Sequence, residues 1–356
     1  MRRYYPGITI FKLAGCLLVL LSHTILLRYM EVAPNQQLRF LTPLLGMIVP
    51  CFYVAAGFLA CKGWTHTADG RRYVRKYITR ISLLYGFFCL LFAAEHIIPA
   101  LMNKGFTMSN LILQFKILTA AVVLNGPFVQ LWFIPPLLFG IFISYWLYEK
   151  RALRLAILLA ALGFLLTLFL SGSFRMLFQA ELDSLISNQD PLFGYLKLFI
   201  YRYLGFGFPF VLAGVLIAHY EEKFYHARIT PLAAAALLLT AAELVFLFRY
   251  AQWNTEYKLA LSILPNTILL FYGLLHIKWP SIQTRHSFIN LFSVVTFCGH
   301  IPFMRLNLLL LNWEVSTMSG LQDALYVALS LVECIAVTFL LYKKGKRRSS
   351  VALHSS

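Results

Sequence analysis

Long apolar runs separated by short polar stretches dominate this sequence. Ten of the runs are long enough to cross a bilayer as helices, and each holds few charged residues. An eleventh run, 111–124, is short and contains Gln114 and Lys116, so we expect it to be re-entrant or interfacial. The pattern predicts an all-α, polytopic transmembrane bundle of about ten helices, with spans near 8–28, 41–62, 77–98, 131–148, 151–171, 197–219, 231–250, 257–276, 288–311 and 321–342.

The distribution of charge predicts how the bundle is oriented in the membrane. The chain carries 31 basic and 14 acidic residues, a net charge of +17 that would otherwise suggest a nucleic-acid partner. If both termini are cytoplasmic, 20 of the basic residues fall in cytoplasmic segments and 8 on the opposite side. This asymmetry follows the positive-inside rule. We therefore expect a multi-pass protein with cytoplasmic termini, in contact with the lipid bilayer and without a nucleic-acid partner.

The rest of the chain offers little room for another domain or a metal. The six cysteines lie in or beside the apolar runs without a C-x-x-C motif, so we interpret them as packing residues and expect no metal site. No loop is long enough for a soluble domain. The sequence thus predicts one integral-membrane domain over 1–345 and a short basic and polar cytoplasmic tail over 346–356.

Two ionisable residues in the first span are the leading candidates for chemistry. Lys12 and His23 lie eleven residues apart, which is three helical turns plus about 20°, so they share one face roughly 16 Å apart along the axis. Ionisable groups inside a membrane are costly and are functional candidates by default. His23 can act as a general base, or it can serve only as a hydrogen-bonding residue between helices.

Other charged or titratable residues in the spans concentrate in the outer half of the predicted membrane. Unpaired charges there are expensive, so we expect these residues to line a shared polar cavity. Arg202 and Glu243 lie in consecutive spans and are plausible partners, although such a pair can be purely structural. The predicted cavity-lining residues are Arg202, Glu243, His300, Arg305 and Glu333.

A cluster of basic residues follows the second span. On a helix, Arg72, Arg75, Lys76 and Arg80 form a stripe about 140° wide, which we call the basic stripe. Guanidinium groups bind phosphate oxygens in a bidentate fashion, so the stripe suits a polyphosphate ligand. The alternative is ordinary positive-inside topology, which explains some of these residues equally well.

The order of motifs resembles the integral-membrane acyltransferase-3 family over essentially the whole chain. Its opening helix carries a basic residue, ten others and then His, as Thr9 to His23 does here. Four further features are similar to family motifs and follow in the family's order. They are Val49 to Leu59, the basic run from Arg72 to Arg80, Leu131 to Phe133, and Tyr203 to Gly214.

The chain also departs from the family pattern. The family usually has Arg at Lys12, commonly Asp at Thr9 and Ser at Ala56. In the ninth span, His300 stands where the family often has Tyr, and Phe303 where it often has His. Lys12 keeps the charge without the planar fork of Arg, so a bidentate contact is not expected there. These departures indicate a divergent member.

The resemblance implies a membrane O-acyltransferase, most simply an O-acetyltransferase of the bacterial cytoplasmic membrane. The donor is expected to be cytoplasmic acyl-CoA, acetyl-CoA first, as a co-substrate, with no tightly bound cofactor. The acceptor is a hydroxyl of an extracytoplasmic envelope glycan or a lipid-linked saccharide. His23 would be the general base, and Lys12, Arg72, Arg75 and Arg80 would bind the donor phosphates. The alternatives are an exporter of a polar envelope precursor and a degenerate, non-catalytic family member.

Overall fold

The computed structural model describes residues 4–26, 46–178, 191–250 and 259–354, and this part of the chain is helical without a β-strand. Several spans contain a π-helical turn, as at Ser22–Leu26 and Ala121–Asn125. The all-α prediction is confirmed. The α-helices in chain order are α1 Pro6–Leu21, α2 Ile48–Thr65, α3 Gly70–Phe92, α4 Ile98–Lys104, α5 Met108–Ala120, α6 Ile134–Glu149, α7 Leu153–Ser171, α8 Pro191–Phe199, α9 Phe208–His219, α10 Glu221–Tyr225, α11 Thr230–Tyr250, α12 Ile263–His276, α13 Pro280–Leu311 and α14 Gly320–His354.

In the part of the chain that the structure describes, ten continuous helical segments are long and apolar enough to cross a membrane, which is the predicted number. The membership of the set differs from the prediction at two places. Met108–Asn125 belongs to it, whereas Ile263–His276 is shorter than a span. The predicted span at 257–276 begins partly outside the described residues, and α12 starts only at Ile263.

The chain divides into two compact units, Met1–Arg39 with Gly273–Ser356 and Phe40–Tyr272. In the first unit, α1 packs against α13, and α13 packs against α14. The ring of Phe288 contacts Tyr342, while Asn307 lies against Ser330, so α13 and α14 run antiparallel. Pro302 lies inside α13 and removes one backbone donor from it.

In the second unit, α2 and α9 approach so closely that only glycine fits at the crossing. A Cβ atom on Gly57 would lie 2.1 Å from the carbonyl oxygen of Val211. A Cβ atom on Gly214 would lie 2.0 Å from the carbonyl oxygen of Val54. Small residues allow this backbone contact in membrane helices, where van der Waals packing rather than the hydrophobic effect drives association.

A second stripe of small residues joins α7 to the chain from α8 to α9. Thr167 donates its hydroxyl to the carbonyl of Ile200, and Gly163 lies against Leu204. Further along, Ala156 packs with Leu212 in one buried cluster. As the residue number decreases along α7, the number of its partner in the other segment increases, so the two segments are antiparallel.

The contacts between α2 and α6 establish the direction of the intervening chain. Tyr53 donates to the carbonyl of Phe133 at 3.0 Å, and Trp64 packs on Tyr145 with ring centroids 5.3 Å apart. Early residues meet early residues and late meet late, so α2 and α6 are parallel. An odd number of crossings must therefore separate them. Because α3 supplies one of them, the rest of the intervening chain must add an even number, and the re-entrant or interfacial placement of Met108–Asn125 stays a prediction.

Candidate active site

The first unit brings two of the predicted site residues together. His23, in the π-helical turn that extends α1, lies beside His300 of α13, with ring centroids 5.4 Å apart and ring planes tilted by 35°. The sequence predicted His23 as a base and His300 only as a cavity residue. We call these two residues the histidine pair.

His300 is completely buried, and its ring orientation is fixed by the backbone. Its Nδ1 lies 2.8 Å from the carbonyl oxygen of Thr296 and 3.1 Å from that of Phe297. A carbonyl oxygen only accepts, so Nδ1 carries the ring proton, a tautomer assigned from these contacts. The Nε2 atom is then an acceptor, and it has no hydrogen-bond partner among the described residues.

Lys12 lies on the same face of α1 and reaches a directed hydrogen-bond chain. Its Nζ donates to Asn290 Oδ1 at 3.4 Å. Asn290 in turn donates to His286 Nε2 at 2.7 Å, and His286 Nδ1 lies 2.9 Å from the hydroxyl oxygen of Thr9. Tyr4 also donates to that oxygen at 3.2 Å. We call Tyr4, Thr9, His286 and Asn290 the Lys12 cluster.

The histidine pair and the Lys12 cluster show that α1 and α13 run parallel in a constant register. Thr9 meets His286, Lys12 meets Asn290, and His23 meets His300, so matched residues differ by 277 or 278 positions in the sequence. The predicted common face of Lys12 and His23 is thus confirmed, because both side chains reach the same helix.

Sequence reasoning missed His286, Asn290 and Asn307, although a signal was present. Polar residues recur along α13 at intervals that keep them on one helical face: His286, Asn290, Ser293, Thr296, His300 and Asn307. An apolar span with such a stripe must pair it with polar groups on other helices.

The polar stripe of α13 ends near two of the predicted cavity residues. Asn307 donates to Glu333 Oε2 of α14 at 3.0 Å and to the hydroxyl of Ser330 at 3.3 Å. Asn307 and Ser330 are buried, and Glu333 is half-buried. Arg305 is half-buried on α13. Glu333 therefore lies in a hydrogen-bonded group about two helical turns from His300, rather than at the histidine pair.

The predicted pairing of Arg202 with Glu243 is wrong within the described residues. Arg202 donates to the carbonyl of Leu124 and lies over the Trp132 ring, 5.1 Å from its centroid. Tyr203 donates to the neighbouring carbonyl of Val123 at 2.5 Å. Arg202 and Tyr203 thus satisfy carbonyls at the end of Met108–Asn125, where a helix leaves its last acceptors unpaired.

Glu243 accepts backbone donors instead of a guanidinium. Its two carboxylate oxygens lie 2.7 Å from the amide nitrogen of Leu261 and 2.9 Å from that of Ser262. Glu243 is buried, with an exposed fraction of 7%. These amides come just before α12, so the carboxylate satisfies donors that the helix leaves free and also favours the helix dipole. Similar depth in the membrane did not make Arg202 and Glu243 neighbours.

The basic stripe lies on α3 in the second unit. Asp69 caps this helix by accepting from the amide of Arg72 at 2.8 Å, which starts α3 at Gly70, earlier than predicted. Arg72, Arg75 and Arg80 are exposed, whereas Val74 is buried on the opposite side. The stripe can therefore meet an anionic ligand without first breaking a buried contact.

Comparison with known proteins places the chain in a family. Two relatives from Enterococcus faecalis, both named amino-acid racemase, are 28% identical over 166 residues and 22% identical over 301 residues. These matches cover 46% and 81% of this chain but only 22% and 39% of the relatives, so the chain spans less than half the length of either. No solved structure matches it. The acyltransferase-domain profile of the acyltransferase-3 family matches residues 5–343, and the chain belongs to that family.

Proposed function

We propose that this multi-pass membrane acyltransferase moves an acyl group, acetyl in the first instance, from cytoplasmic acyl-CoA to a hydroxyl of an envelope glycan or a lipid-linked saccharide. We place it in the bacterial cytoplasmic membrane. The observation that carries the proposal is the position of His23. An imidazole stands in the π-helical turn that extends α1, beside a second imidazole and on the face that Lys12 shares.

The chemistry needs one base and an activated acyl donor. His23 removes the proton from the acceptor hydroxyl as that oxygen attacks the thioester carbonyl. The new carbon–oxygen bond forms, the carbon–sulfur bond breaks, and the departing sulfur takes the proton from His23. The products are an ester and free CoA. A thioester is already activated, so an acyl-enzyme is not required.

Positive charge would hold the donor. Lys12 and the exposed Arg72, Arg75 and Arg80 are the residues that we assign to the CoA phosphates, in keeping with the preference of guanidinium groups for phosphate oxygens. The Lys12 cluster fixes the ammonium group from one side, through Asn290. Arg202 and Glu243, which were predicted to line the cavity, receive no role in the reaction, because their hydrogen bonds go to backbone atoms.

The proposal is tested by replacing His23 and measuring the product. We expect His23→Ala to abolish acetyl transfer to envelope glycans, followed as an acetyl-sized mass difference, while the protein still inserts. His219→Ala is the matched control, because His219 is exposed at the end of α9 and contacts Tyr148 and Tyr220. Normal acetylation by the His23 variant would overturn the base assignment.

The same experiment separates transfer from transport and from loss of activity. An exporter would change the amount of an envelope precursor at the surface without an acyl-CoA-dependent change in its mass. A degenerate member would give neither effect. The racemase name belongs to proteins whose greater part lies outside the match with this chain. Family membership over residues 5–343 therefore favours acyl transfer.

A further inference from the structure

The His300 side chain contains an acceptor whose partner the described structure does not supply. Its Nε2 atom is buried and has no hydrogen-bond partner among the residues described, although the rest of the ring is tightly held. Burying an acceptor without a donor costs free energy, so such an atom calls for an explanation. The ring of His23 lies beside it.

We propose that His300 is a positioning residue for His23: its Nε2 accepts the N–H of one His23 ring nitrogen and thereby makes the other nitrogen the one that acts as the base. This inference rests on the proposed acyl transfer by His23.

The distance between the rings permits this hydrogen bond after a small rotation. Their centroids are 5.4 Å apart. Subtracting about 1.2 Å for each ring leaves about 3 Å between two nitrogens that face each other, which is hydrogen-bond length. His300 is held by Thr296 and Phe297, so the rotation belongs to His23.

The tautomer of His300 determines the direction of the bond. Its Nδ1 proton is directed at the Thr296 carbonyl, which leaves Nε2 only as an acceptor. The donor must then be His23, and a neutral imidazole that donates from one nitrogen can accept at the other. In a Ser-His-Asp triad, a carboxylate holds the base in its reactive tautomer in the same way.

The proton balance of the reaction is unchanged by His300. When His23 takes the proton of the acceptor hydroxyl, it becomes an imidazolium with an N–H on each nitrogen. One N–H remains hydrogen-bonded to His300 Nε2. The proton of the other N–H is transferred to the sulfur as the carbon–sulfur bond breaks. His300 stays neutral throughout, and its role is to orient His23 and to stabilise the imidazolium.

Three variants on α13 test the proposal. In His300→Leu the acceptor is lost, so we expect kcat for acetyl transfer to fall about 100-fold with KM nearly unchanged. His300→Gln restores an acceptor oxygen and a donor for Thr296, and should recover at least a tenth of the wild-type kcat. Met304→Leu is the packing control, because Met304 is buried one turn away and carries no polar hydrogen. If His300→Leu and Met304→Leu have the same kcat, the positioning role is wrong.

A second measurement keeps this inference separate from the proposed function. Nitrogen-15 NMR of histidine-labelled protein in nanodiscs reports the His23 tautomer directly, without any turnover. We expect a single His23 tautomer in the wild type and a mixture in His300→Leu. If the wild type transfers no acyl group but shows the single tautomer, the proposed function fails and the pair stands. If both proteins show the same mixture, His300 does not position His23.

Discussion

At the scale of single residues, the polar groups inside the first unit depend on partners from a distant part of the sequence. Lys12 and His23 come from the first span, whereas Asn290 and His300 come from α13. The Lys12–Asn290 hydrogen bond satisfies an ammonium group that would be costly if it were left alone in an apolar interior. The residues that bear the proposed chemistry are therefore the ones most sensitive to the packing of α1 on α13.

Asn290→Leu should weaken donor binding through Lys12. The variant removes the oxygen that accepts from the Lys12 ammonium group. Hydrogen bonds to charged groups contribute about 1.5–3 kcal/mol, so the Kd for acyl-CoA should rise about 10- to 100-fold. Titration calorimetry in detergent measures the change. Asn290→Asp keeps the acceptor and should bind acyl-CoA more tightly than the leucine variant; equal affinity in wild type and Asn290→Leu would contradict the assignment.

Glu243→Leu should destabilise the protein without affecting the chemistry. The change leaves the amides of Leu261 and Ser262 without their acceptor, at a cost of about 1–3 kcal/mol for each buried donor. Thermal unfolding in nanodiscs should show the loss, while kcat per folded molecule stays at the wild-type level. Exposed Glu222→Gln serves as the control and should stay within about 0.5 kcal/mol of wild type. A selective loss of kcat would instead return Glu243 to the active site.

At the scale of helices, close packing depends on where the chain has no side chain. Gly57 and Gly214 let α2 and α9 meet backbone to backbone, and Gly163 lets α7 approach the chain near Leu204. Gly57 belongs to the segment Val49 to Leu59 that resembles a family motif. The structure explains this glycine by its close contact with the Val211 backbone. Nothing in the hydropathy pattern identifies which helix lies against it.

Gly57→Ala should therefore be strongly destabilising. Its new methyl group would overlap the Val211 carbonyl, a backbone atom that cannot rotate away. We expect a loss of about 3 kcal/mol or more in the free energy of unfolding, followed by thermal or denaturant melting of purified protein. Gly86→Ala on α3 is the matched control, since nothing lies within 4 Å of its Cβ position, and it should cost nothing. Similar melting of both variants would show that the α2–α9 contact is not tight.

At the scale of the whole molecule, apolar runs predicted the spans well, and tertiary contacts decided the rest. The pattern gave the all-α class and the number of long apolar segments, because the bilayer fixes helix length. It placed Arg202 beside Glu243, because membrane depth carries no information on which helices touch. It also began the eighth span at residue 257, whereas α12 begins at Ile263. The Glu243 carboxylate that binds the amides at the start of α12 comes from another helix, so the local sequence does not mark this start.

The parallel arrangement of α2 and α6 yields a test of topology. Single cysteines at Phe106 and Val129 should react with an impermeant maleimide from one side of the membrane, and cysteines at Ala68 and Lys150 from the other. All four positions are exposed. The background should lack Cys89, the one native cysteine that is not buried. Labelling of Phe106 and Val129 from opposite sides would show that Met108–Asn125 crosses after all.

The first unit is assembled from both ends of the chain, and this has a consequence for biosynthesis. The ribosome finishes α1 long before it makes α13, so Lys12 and His23 enter the membrane while Asn290 and His300 are still untranslated. During that interval the first helix must wait beside the insertion machinery, or among lipids, with its ionisable groups unmatched. Nascent chains that stop before Pro280 should accordingly be recognised as unfinished and degraded, however well the remaining helices have already packed.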